Sequence, residues 1–155
     1  MTSGQMDERR TIVLVEDLKQ SPAQVWRVLT DPRLMSQWLM QNDFEPIIGH
    51  EFTFTGVPQP SVGFSGKVRC KVLELIAEKR LAVSWKDDAR GGDAPWTVTW
   101  SLEQLGTGTR LTLVHDGFDP QSGQDQLSRR IMAGGWPSVL RRIAAAASAY
   151  VRDAL

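Results

Sequence analysis

Apolar and polar positions alternate through the middle of the chain and fall at helical spacing towards its two ends. Thr11-Ile12-Val13-Leu14-Val15-Glu16-Asp17-Leu18 is β-branched and apolar, which predicts a first strand. Ser21-Pro22-Ala23-Gln24 predicts a helix start: Ser21 can cap, Pro22 suits the first helical position, and Gln24 completes a capping box. Val25, Trp26 and Leu29 form the apolar stripe of that helix. Asp31-Pro32 repeats the start signal for a second short helix, with Leu34, Met35, Trp38 and Leu39 on one face.

Beyond residue 42 the period is two. Phe52 and Phe54 alternate with Glu51, Thr53 and Thr55, and a Pro/Gly loop follows over 56–63. Phe64, Val68, Cys70 and Val72 alternate with Ser65, Lys67, Arg69 and Lys71, the mark of a half-buried strand. The phase slips near Leu73, which predicts a bulge. Leu81, Val83 and Trp85 mark another strand, and a loop follows over 87–93. Trp96, Val98, Trp100 and Leu102 then alternate with Thr97, Thr99 and Ser101. Gly106-Thr107-Gly108 predicts a hairpin turn before Leu111, Leu113 and His115. Helical spacing returns with Leu127 and Ile131, then Met132, Trp136 and Leu140, then Ile143, Ala147 and Val151. Gly134-Gly135 and Pro137 predict a kink near 134–137, or a short helix followed by a longer one. The expected fold is α+β: an antiparallel sheet of about six strands with a long C-terminal helix packed on one face. One domain is expected over residues 1–155, with its core over 10–152.

Composition narrows the function classes. Eighteen Lys plus Arg balance eighteen Asp plus Glu, so no basic excess points to nucleic acid. No apolar run approaches the roughly 18 residues of a membrane span, and the polar N-terminus lacks a signal-peptide stretch. A cytoplasmic protein without membrane partners is therefore expected. One cysteine excludes an internal disulfide, and with two histidines it leaves too few soft ligands for a structural zinc site. No phosphate-binding loop, dinucleotide fingerprint or G-x-S-x-G elbow is present, so neither a metal nor a cofactor is expected.

The candidate chemistry lies in the aromatic residues and one histidine. Trp85, Trp96, Trp100 and Trp136 stand out, and if strand parity points them inward, Trp85, Trp100 and Trp136 converge between sheet and helix. There they either wall an apolar cavity or fill it. His115 shares a strand face with Leu111 and Leu113. It reads as a hydrogen-bonded histidine at a strand end, a ligand contact, or a proton-transfer group working with Asp116, Glu74 or Glu103. His50 reads as a surface residue and Cys70 as an inert buried thiol. Lys67, Arg69 and Lys71 form a basic stripe, and Arg129, Arg130, Arg141 and Arg142 add basic residues to the last helix. A solvated face is the first reading of these charges; contact with an anionic ligand or partner is the second.

Three segments carry a family resemblance. They are Pro22-Ala-Gln-Val-Trp26-Arg-Val-Leu29-Thr-Asp31-Pro32-Arg-Leu-Met35-Ser-Gln-Trp38-Leu39, Gly108-Thr109-Arg110-Leu111-Thr112-Leu113-Val114-His115-Asp116-Gly117-Phe118, and Gly135-Trp136-Pro137-Ser138-Val139-Leu140. In that order, within residues 10–152, they resemble the heat-shock-protein ATPase activator homologue-like family of the START/SRPBCC (birch-pollen-allergen-like) superfamily. The resemblance implies a helix-grip fold, in which a curved antiparallel sheet wraps the long helix and leaves an open cavity. It implies an apolar or aromatic small-molecule ligand, contacted by Trp38, Phe52, Cys70, Trp85, Val98, Trp100, Leu113, His115, Trp136 and Leu140. The same superfamily also holds cyclase- and hydrolase-like enzymes and chaperone-type interaction modules. A single domain is expected, with no second one to complete a chaperone-binding surface, so chaperone contact is expected to rank behind small-molecule binding. The sequence leaves a homodimer open.

Overall fold

The computed structural model describes residues 8–62, 64–87 and 96–154. Past Asp87, the loop predicted over 87–93 lies outside the described residues. The elements run β1 (Thr11–Leu18), α1 (Pro22–Thr30), α2 (Pro32–Trp38), β2 (Gln41–Asn42), β3 (Glu51–Thr55), β4 (Lys67–Ile76), β5 (Arg80–Asp87), β6 (Trp96–Leu105), β7 (Gly108–Asp116) and α3 (Gly123–Ala154). A 3-10 turn, Pro60–Val62, sits between β3 and β4. The strands form one curved, open antiparallel sheet of seven in the order β1-β7-β6-β5-β4-β3-β2. The seventh strand is β2, whose two residues are too few to show a period in the sequence. Among the described residues, no helix is long and apolar enough to cross a membrane.

Local chemistry sets the element ends. The capping box forms: Ser21 Oγ accepts the Gln24 N–H at 3.4 Å, and Gln24 Oε1 accepts the Ser21 N–H at 3.0 Å. Asp31 both ends α1 and starts α2. Its N–H donates to the Arg27 carbonyl at 3.1 Å, and its carboxylate accepts the Arg33 N–H at 2.9 Å. The β4–β5 register shifts between Val72 and Glu74, so the bulge lies where the sequence phase slipped. Leu105 pairs with Gly108, and Gly106 takes the positive φ of 63° that the two-residue turn needs.

α3 covers the concave sheet face, with α1 and α2 packed beside it. It runs unbroken over 32 residues through Gly134, Gly135 and Pro137, so the two-helix expectation is corrected. Pro137 has no N–H to offer the Ala133 carbonyl, a loss of roughly 3 kcal/mol in a helix interior. Trp136, Val139, Leu140 and Ile143 are buried around that point. Each such side chain gains about 1.5–3 kcal/mol on burial, so packing outweighs the local penalty.

Candidate functional site

Between α3 and the β4–β5–β6 end of the sheet lies a cavity of about 520 Å³. α3 supplies one stripe: Gln124, Leu127, Ser128, Ile131, Met132, Gly135, Trp136, Val139 and Arg142. Steps of one, three and four keep these residues on a single helix face. The sheet adds Val68, Trp85, Asp87 and Trp96, and the connections add Leu39, Met40, Gln59, Ser61 and Phe64. Gly135 interrupts the stripe. A Cβ built on it would meet no atom within 4 Å, so the missing side chain leaves open space.

Of the ten residues expected at a ligand, Trp85 and Trp136 line this cavity. Trp38, Phe52, Cys70, Val98, Trp100, Leu113, His115 and Leu140 are buried in the core and do not line it. The three convergent indoles do meet: Trp136 stands edge to face with Trp85 at 5.5 Å and with Trp100 at 6.3 Å. Trp100 in turn packs edge to face on Trp38 at 5.7 Å. Trp100 and Trp38 therefore back the cavity wall rather than form it. Burial pushes the Cys70 thiol well above its ordinary pKa, because the anionic thiolate is penalised away from water.

His115 stands behind the wall. Its Nδ1 accepts the Trp136 Nε1–H at 3.0 Å, and its ring packs on Phe118 at 4.6 Å and Trp96 at 5.3 Å. The acidic residues paired with it in the enzyme reading are elsewhere. Asp116 is exposed and follows His115 on the strand, so its side chain leaves the opposite sheet face. Glu74 is half-buried and pairs with Arg80 at 3.5 Å, and Glu103 is exposed. His50 is corrected from surface to half-buried. Its ring stacks on Phe52, and its Nε2 lies 3.0 Å from the Asp43 carbonyl. Val72 explains this: it exchanges hydrogen bonds with Gly49 and His50, pinning their loop to the sheet. Lys67, Arg69 and Lys71 are exposed on the outer face.

Sequence reasoning missed Trp96 as a lining residue, the loop side chains Met40 and Phe64, and the polar stripe positions Gln124, Ser128 and Arg142. Gln124 and Ser128 were available by extending the Met132–Trp136 spacing towards the start of α3, whereas the same spacing leads on to Leu140 and passes over Arg142. The loop contributions carried no such signal.

Residues 19–148 match the model of the family described as Activator of Hsp90 ATPase homolog 1-like protein. The chain belongs to this family. Protein MLL2253 from Mesorhizobium loti is similar at 31% identity, covering 88% of this chain and 96% of that one, with a TM-score of 0.73. Protein NE0264 from Nitrosomonas europaea shares the fold at 22% identity, covering 94% and 99%, with a TM-score of 0.76. CalU16 from Micromonospora echinospora does so at 21% identity, covering 92% and 79%, with a TM-score of 0.68. No curated protein matches the chain. The family's helix-grip arrangement is what places α3 over the cavity.

Proposed function

We propose that this protein binds an apolar or aromatic small molecule in the cavity beneath α3. The volume of about 520 Å³ falls within the usual range of roughly 300–1,000 Å³ for ligand sites. The lining is mostly aromatic and aliphatic, with a few amide, hydroxyl and charged groups. Leu127 and Ile131 face it while 51% and 38% exposed, so they are apolar side chains without cover.

Gly135 carries the reading. Glycine in a helix interior costs about 1 kcal/mol against alanine. Gly135 has no positive φ and no crowding neighbour that would require it. What its absent side chain provides is room within the stripe. The enzyme reading finds no support in the arrangement of its carboxylates: Asp116 and Glu103 are exposed and Glu74 is paired with Arg80, while His115 is buried.

Titration with N-phenyl-1-naphthylamine, read by probe fluorescence and Trp quenching, tests this. Saturable binding is expected. Gly135→Leu should weaken it by about tenfold or more while leaving the thermal midpoint equal or higher. Gly134→Ala serves as the neighbour control, because Gly134 does not line the cavity. It should gain up to about 1 kcal/mol of stability with unchanged affinity. Unchanged affinity in Gly135→Leu would overturn the cavity as the site.

A further inference from the structure

We infer that the ligand is an acid: an apolar body carrying a carboxylate or similar anionic group, recognised by Arg142. This rests on the cavity reading above and adds the chemistry of the head group. The cavity wall holds two charged side chains among the described residues, Asp87 and Arg142. Asp87 is engaged within the protein, with Oδ1 accepting the Ser65 N–H at 3.3 Å. Arg142 is held but not neutralised. Its Nε donates to the Trp38 carbonyl at 3.1 Å. Trp38 ends α2, and the last carbonyls of a helix lack partners and favour a cation. This contact ties the solvent-exposed guanidinium to the C-terminal end of α2, where Arg142 lines the cavity.

Arginine carries five N–H donors in a rigid fork, and the Trp38 carbonyl takes one. Among the described residues no carboxylate lies within ion-pair distance of Arg142. Arg110 shows the contrast on the outer face. It grips Asp17 with Nε at 2.9 Å and Nη2 at 3.2 Å. Arg142 is therefore a positioned fork that lacks its anion. Charge-assisted bonds from guanidinium to carboxylate are roughly twice as strong as neutral ones.

The stripe also gives the ligand a direction. Gln124 and Arg142 lie 18 residues apart on α3, about 27 Å at 1.5 Å per residue. Neutral Gln124 and Ser128 occupy the first end, Arg142 the other, and Ile131, Met132 and Trp136 the span between. An elongated amphipath with its acid group at Arg142 matches that order.

The test compares dodecanoate with dodecan-1-ol as displacers of bound N-phenyl-1-naphthylamine. The pair shares a chain and differs in the head group. Dodecanoate should displace the probe at a concentration about tenfold lower. Arg142→Gln should abolish that preference, and Arg142→Lys should keep part of it. Saturable binding of the neutral probe by all three proteins shows that the cavity stays formed, and the acid-to-alcohol ratio is read within each protein, so a change in probe affinity cancels. Equal displacement by acid and alcohol in the unmodified protein would overturn the inference while leaving the cavity reading standing. So would a preference that survives Arg142→Gln. If the unmodified protein shows no saturable probe binding, the cavity reading fails and takes this inference with it.

Discussion

His115 and Trp136 are a buried pair whose chemistry runs in one direction. An indole N–H can only donate, so His115 Nδ1 must be bare and the proton of the neutral ring must sit on Nε2. The histidine thus acts as a positioning residue for the indole that lines the cavity. Trp136→Phe keeps an aromatic ring but leaves the Nδ1 acceptor without its donor. An unsatisfied buried polar group costs about 1–3 kcal/mol, so the denaturation midpoint should fall accordingly at an unchanged denaturant slope. A midpoint equal to that of the unmodified protein would show that the hydrogen bond contributes nothing. Affinity for the naphthylamine probe should fall as well, because the wall has lost both an indole and its anchor.

At the scale of elements, Asp31 joins α1 to α2. Partial burial pushes its pKa up, but the Arg33 side chain and amide outweigh this and hold the carboxylate below its usual value. Asp31→Ala should cost about 1 kcal/mol, as for other N-cap replacements. Because the folded-state pKa is lowered, this contribution is fully present above the ordinary aspartate pKa. It is lost as pH falls through the folded value. The gap between the two proteins in urea should therefore close in acid, and a gap constant with pH would refute this account. Such junctions were legible in the sequence because their chemistry is local: Ser21 with Gln24, Asp31 before Pro32, and the phase slip at Leu73. The continuity of α3 was not legible. Gly134, Gly135 and Pro137 signal a break locally, and burial of Trp136 and Leu140 on a distant sheet overrides it. The cavity wall was half legible for the same reason. Strand parity placed Trp85 correctly. Met40, Phe64 and the bond between His115 and Trp136 depend on contacts between segments remote in the chain.

For the whole molecule, the open sheet and its helix divide the enclosed space unequally. In one part, Trp38, Trp100, Leu113 and Ile143 fill the core. Along the stripe from Gln124 to Arg142, facing the β4–β5–β6 end, the helix stands over space that its own side chains do not close. Leu127 and Ile131 remain uncovered there, and apolar surface left in water favours any occupant able to bury it. A ligand that binds only the folded chain must then stabilise all of it. At a concentration one hundred times its dissociation constant the gain is about 2.7 kcal/mol. For a domain near this length, 1 kcal/mol moves the midpoint by roughly 2–4 °C. Saturating dodecanoate should therefore raise the thermal midpoint by roughly 5–11 °C. The shift should grow with the logarithm of concentration and shrink in Gly135→Leu, whose added side chain occupies the same space. Displacement of the probe without any rise in midpoint would mean that the fatty acid binds the unfolded chain equally well, and the cavity would lose its claim to be the site.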